Sequence, residues 1–310
     1  MSSISLLIDT DPGVDDALAV MMAAADPACE LVALMTVGGN VGLEAVTCNA
    51  LRLKDLLGLD APVYPGCRRP LVLPGTDAAH VHGKDGFGDC DLPPPGCRAE
   101  TEPAAQVLVR MAQASPGKHT LLALGPLTNI AVALHLEPRL PRWIRRFVVM
   151  GGAVTGHGNT ATPSAEFNFH ADPEAARFVL DHWPGVELVD WELVGRNGLP
   201  MSTLLHWLEA DHPRARFFRR ISATVRGWLA RRGVDEFLAA DALAMAVTLQ
   251  PELVCARAEH SVRVELQGEA TRGQSVVDWR GVCPQWPVHR LVMEVDRAGF
   301  HQRLKQALTG

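Results

Sequence analysis

Short runs of β-branched and leucine-rich residues alternate along this chain with longer stretches whose apolar positions recur at helical spacing. The pattern predicts strands at 4–9, 30–37, 119–124, 146–150 and 186–190, and helices at 16–25, 43–57, 128–136 and 173–183. Such alternation is the signature of βαβ units, which build a mainly parallel sheet with helices on both faces. From about 200 to 249 the pattern is helical, and strand-like runs at 260–266 and 288–295 precede a terminal helix. The expected architecture is α/β, an open, mainly parallel, Rossmann-like sheet flanked by helices. It forms one domain over residues 1–310, with additional C-terminal helices and strands around a pocket.

Polar residues gather where the strands end, and ligands of open α/β sheets bind outside those carboxyl ends. In ISLLIDTDPGVDDALAV (4–20), Asp9, Asp11, Asp15 and Asp16 stand within a few positions of one another. Four ionised carboxylates would repel at such a turn unless a cation neutralised them. A helix dipole accommodates one or two acids in its first turn. Asp9 and Asp11 precede the helix, however, and Pro12-Gly13 bends the backbone so that carboxylates from both sides converge. The reading is a metal site. Gly38-Gly39-Asn40, Gly125 to Asn129 and Met150-Gly151-Gly152 follow other strands and belong on the same rim. The Gly-, Pro-, His- and Asp-rich stretches 66–98 and 151–171 are too long for ordinary connections and read as binding loops or lids.

A chain of 310 residues with 47% hydrophobic content can bury a large core. Its net charge of -6 gives no general attraction to nucleic acid or an anionic membrane, and the basic group Arg142, Arg145 and Arg146 reads as a solvated helix face. The seven cysteines include no CxxC pair and no zinc-type spacing, which fits reduced thiols and a cytoplasmic location. No apolar run reaches the roughly 18 residues needed to span a bilayer.

Taken in order, DTDPGVDD, VGGNV, ALGPLTNIA, MGG and AEFN followed by DPEAA resemble the nucleoside hydrolase family, the inosine- and uridine-preferring type, over most of residues 5–175. The resemblance implies hydrolysis of the N-glycosidic bond of small-molecule ribonucleosides to free base and ribose. It implies a Ca2+ ion held by Asp11, Asp16, the carbonyl of Thr128 and Asp241. Calcium takes about six to eight oxygen ligands, leaving room for a water and two vicinal ribose hydroxyls. Asp11 is then the general base toward that water. Asp15 and Asn168 hold the ribose 2′- and 3′-hydroxyls with Asn40 nearby, Asn159 and Glu166 hold the 5′-hydroxyl, Met150 lines the sugar and His82 faces the base. An anion-rich pocket suits the oxocarbenium-like transition state. The family also implies a homodimer or homotetramer.

Two departures stand beside these matches. Many members place a histidine before the distant metal-binding aspartate to protonate the departing base, whereas this chain has Ala240 before Asp241. Some members without that histidine act on purine nucleosides and activate the base by aromatic stacking. Purines are therefore slightly favoured, with Trp228 as the stacking candidate and Arg231 and Arg232 beyond it. The stretch between Asn159 and Glu166 is also one residue longer than the common pattern. Two alternatives follow: a non-catalytic Ca2+ and ribose binder that lacks the leaving-group acid, and a Mg2+-dependent phosphatase with Asp9 as nucleophile.

Overall fold

The computed structural model describes residues 3–310. The chain begins with β1 (Ile4–Thr10), α1 (Val14–Ala25), β2 (Cys29–Thr36), α2 (Leu43–Leu57) and β3 (Val63–Pro65). A long irregular stretch carries only α3 (Ala79–His82) before α4 (Ala104–Ala114), β4 (His119–Ala123), α5 (Thr128–Leu136) and β5 (Arg146–Met150). Next come α6 (Phe167–Ala171), α7 (Pro173–His182), β6 (Glu187–Val189), α8 (Trp191–Arg196) and β7 (Leu199–Pro200). Three helices follow, α9 (Met201–Trp207), α10 (Pro213–Ile221) and α11 (Ala223–Ala230). The chain closes with β8 (Glu236–Phe237), α12 (Ala240–Leu249), β9 (Val254–Val264), β10 (Ser275–Val277), β11 (Val288–Val295) and α13 (Arg297–Thr309).

Among the described residues, nine strands share one sheet in the order β10-β9-β11-β6-β5-β4-β1-β2-β3, and β7 pairs with β8 apart from it. The strands from β11 to β3 are parallel, as the βαβ alternation predicts. β9 runs antiparallel to β11, and β10 antiparallel to β9. Because β1 lies between β2 and β4, the winding reverses there, and a crevice opens at the carboxyl ends of these strands.

The two-residue strand period distributes β1 between two cores. Leu6 and Ile8 pack with α1, α12 and α13 on one face, and Leu7 packs with α4, α5 and α7 on the other. Helices α1 and α12 pack against each other and are buried on almost every side. Each carries the same four residues in its opening turns, Asp16-Ala-Leu-Ala and Asp241-Ala-Leu-Ala. Alanine lets the two helix axes approach closely, and so brings their acidic N-terminal turns together.

The structure refines several element predictions. α1 begins at Val14, with Asp16 bonded back to the Gly13 amide, so both Asp15 and Asp16 lie in its first turn. β3 and α4 were not expected, one being only three residues long and the other set in a Pro-rich stretch. The helical pattern from 200 to 249 is divided among four helices and a strand. β9 starts at Val254, ahead of the predicted 260, and in its first half partly buried positions alternate with exposed Cys255, Arg257 and Glu259. Among the described residues, no helix is long and apolar enough to cross a membrane.

Candidate active site

The floor of the crevice forms where β1 gives way to α1. Thr10 Oγ1 donates to Asp16 Oδ1 at 2.5 Å, while Asp16 Oδ2 accepts from the Gly13 amide at 2.8 Å and from Asn40 Nδ2 at 3.1 Å. Asn40 also donates its backbone N–H to Asp11 Oδ2 at 2.6 Å and its side-chain amide to the Asp11 carbonyl at 3.1 Å. The loop after β2 thereby pins both carboxylates. The other Asp11 oxygen, Oδ1, is buried without a hydrogen-bond partner. Glycine is required around it, since a Cβ at Gly39 or Gly125 would run into the Asp11 carboxylate.

From α12, Asp241 joins this cluster. One carboxylate oxygen from each of Asp15, Asp16 and Asp241 lies within 4.8 Å of the others, the arrangement of a cation site. Burial raises all these acids above the ordinary carboxylate range. Asp15 is pushed up to about 6. Asp11 is raised further by burial and by the charge of Asp16, and Asp241 by burial and by Asp15, Asp16 and Asp11. Asp16 moves the same way through burial and the charge of Asp15. Such crowding opposes ionisation unless positive charge enters, and an orphaned carboxylate oxygen beside three converging ones suits a hard divalent cation.

Above the floor lies a cavity of about 370 Å³. Asp15, Asn40, Met150, Asn159, Glu166, Asn168 and Asp241 line one part of it. Asn168 donates its side-chain amide to the Leu124 carbonyl at 2.8 Å and the Met150 carbonyl at 3.1 Å, which leaves its amide oxygen as the free acceptor. Glu166 caps α6: Oε1 accepts from the Asn168 amide at 2.8 Å, and Oε2 from Gly152 at 3.0 Å and Phe169 at 3.2 Å. Burial pushes Glu166 up to about 7. Between Asn159 and Glu166 the chain makes a tight turn, in which the Gly158 and Asn159 amides donate to the carbonyls of Pro163 and Ala165. Asn159 is returned to the cavity wall beside Glu166.

The rest of the cavity is apolar, lined by Trp191, Val225, Trp228, Leu229 and Phe237. Ala240 is buried there. His82 lines the edge nearest the floor, where its Nδ1 accepts the Val14 N–H at 3.1 Å. That bond assigns the proton to Nε2, and burial lowers the imidazole to about 4, so the ring is a neutral donor. Trp228 lines the cavity and also packs on the core, with Arg232 over its ring and His80 at its edge.

The structure brings to the cavity a residue other than the predicted carbonyl ligand. Thr128 does not line the cavity: it opens α5, and its hydroxyl donates to Asp172 at 2.6 Å. Leu124, which extends β4 by donating its amide to the Asp9 carbonyl at 2.8 Å, reaches the cavity instead. Asp9 is unsuited to nucleophilic attack, because it lies beneath the floor, buried, with its Oδ2 accepting from Asn129 Nδ2 at 2.7 Å. Leu124, Trp191, Phe237 and His80 are cavity residues that the sequence reading missed. Leu124 and Trp191 each stand just past a strand end, a signal that was available.

Comparison with known proteins agrees with this geometry. The profile of the family described as inosine-uridine preferring nucleoside hydrolase matches residues 6–302. The non-specific ribonucleoside hydrolase RihC of Salmonella enteritidis is 37% identical over 302 residues, covering 97% of this chain and 96% of its own. Among solved structures, a plant nucleoside hydrolase superposes with a TM-score of 0.92 at 29% identity, covering 99% of both chains. An inosine-guanosine nucleoside hydrolase does so with a TM-score of 0.92 at 30% identity, covering 99% of this chain and 98% of its own.

Proposed function

Because this chain belongs to the inosine-uridine preferring nucleoside hydrolase family and is an N-glycosyl hydrolase of ribonucleosides, we propose that it works with Ca2+ on its acidic floor and slightly favours purine nucleosides. The observation carrying this reading is the convergence of Asp15, Asp16 and Asp241 beside the unpartnered Asp11 oxygen.

Asp15, Asp16 and Asp241, with Asp11 and the Leu124 carbonyl in place of Thr128, would hold the ion, and Asp15 also faces the cavity that would take the ribose. When bound, calcium neutralises the cluster and makes a neighbouring water more acidic. Asp11 takes the proton of the attacking water, a role suited to a carboxylate whose second oxygen is fixed by the Asn40 amide. Asp15 and the free oxygen of Asn168 accept from the 2′- and 3′-hydroxyls. Asn159 serves the 5′-hydroxyl. Glu166 acts chiefly by holding Asn168 and Gly152, since backbone amides occupy both its oxygens. As the C1′–N bond lengthens, positive charge grows on the sugar, and the surrounding carboxylates stabilise it. The purine reading is supported by the breadth of the apolar wall, where Trp191, Trp228 and Phe237 offer area for a bicyclic base.

The test is ribose release from inosine, guanosine, adenosine, uridine and cytidine, before and after chelation. Release from purines that stops on chelation and returns with Ca2+ is expected. Release indifferent to chelation would overturn the metal assignment, and faster release from pyrimidines would overturn the base preference.

A further inference from the structure

A departing base carries away the electron pair of the broken bond, and the site must stabilise that charge by a proton or by a cation. Ala240 supplies neither. His82 commits Nδ1 to the Val14 amide and, as a neutral ring, brings a hydrogen-bond donor at Nε2 but no positive charge. Among the described residues lining the cavity, Arg232 is the one arginine or lysine, exposed at the rim beyond the end of α11. Its guanidinium carbon lies 3.9 Å from the centre of the Trp228 ring. Glu236, in the strand that follows, pairs with Arg297 at 2.9 Å. A guanidinium is permanently charged and planar, and it stacks on aromatic faces, so it offers charge and hydrogen bonds without surrendering a proton. Both residues line the cavity, so a base lying beside Trp228 would be a neighbour of that group.

Building on the hydrolase reading above, we propose that Arg232, held over Trp228, stabilises the departing base as its anion, so that this enzyme selects ribonucleosides by the acidity of the base. In the step, the C1′–N bond breaks with its electron pair passing to the base nitrogen. Water oxygen bonds to C1′ while its proton passes to Asp11. The released base anion takes a proton from solvent, and Asp11 returns one to solvent.

The experiment compares kcat/KM for Arg232→Gln and Arg232→Lys on inosine and on p-nitrophenyl β-D-ribofuranoside, whose leaving group is a stable anion without assistance. The two substrates share their ribose. Arg232→Gln is expected to lower the inosine-to-aryl ratio by about 10²-fold, the size of one lost stabilising donor, and Arg232→Lys to recover most of it. An unchanged ratio in Arg232→Gln overturns the proposal. An equal fall on both substrates also overturns it, placing Arg232 with the ribose or the fold. If the unsubstituted enzyme cleaves neither substrate, the underlying hydrolase reading fails and takes this one with it.

Discussion

At the floor of the cavity, polar atoms are held by one another: Asn40 bonds to both Asp11 and Asp16, Thr10 and the Gly13 amide complete Asp16, and Asn168 is fixed to two strand-end carbonyls. The base-side rim is built of α3, α11 and the segment up to α12. It consists of apolar surface, an aromatic ring under a cation, and few hydrogen bonds. The floor stands on strand ends and two helix starts that cannot shift without disturbing the sheet. The rim stands on short elements that tolerate change. The groups shared by all ribonucleosides are met by the rigid part, and discrimination among bases falls to the part that can vary.

The sharpest way to break this contrast is Asp11→Asn. It should cut kcat by about 10³–10⁴-fold for every nucleoside while leaving the chain folded, measured by ribose release beside circular dichroism. A loss confined to certain bases would erase the distinction between floor and rim. Next comes Asn168→Ala, expected to lower kcat/KM by about 10²-fold, again uniformly across bases, because it removes a ribose acceptor and the clamp on Leu124 and Met150.

The third prediction concerns pH. Burial raises Asp9 and Glu166 to about 7 and Asp15 to about 6. A raised folded-state value means that the stability contributed is complete below the ordinary carboxylate range and is lost as pH rises through about 6 to 7. Chelated protein should therefore melt at a higher temperature at about pH 5 than at about pH 7.5, and added Ca2+ should restore the loss at the higher pH. Equal melting at both values, with no response to calcium, would show that the floor does not carry this charge. The smallest effect is expected of Thr128→Val: unchanged turnover, with about 1 kcal/mol less stability from its lost bond to Asp172, read from urea melts. A fall in turnover there would show that the Thr128–Asp172 bond supports the site.

How much of the site was legible follows the same division. Asp11, Asp15, Asp16 and Asn40 could be read because their carboxylates and glycines are local to single strand ends, where crowding and close approach leave a visible mark. The carbonyl that enters the cavity was not local. It depends on β4 lying beside β1 with Ala123 opposite Asp9, so that Leu124 and not Thr128 lines the cavity. The parallel sheet itself was evident from the βαβ rhythm. β3 and α4, too short or too interrupted to show a period, were hidden. Trp191, Trp228 and Phe237 come from α8, α11 and β8, and only long-range packing makes them neighbours.

The paired Asp-Ala-Leu-Ala turns of α1 and α12 bear on biosynthesis. A ribosome delivers Asp11 and Asp16 early and Asp241 only after the strands β1 to β8 have been made. A nascent or truncated chain therefore has no complete centre, however well its first half has folded. The acidic centre is complete only once α12 has docked against α1.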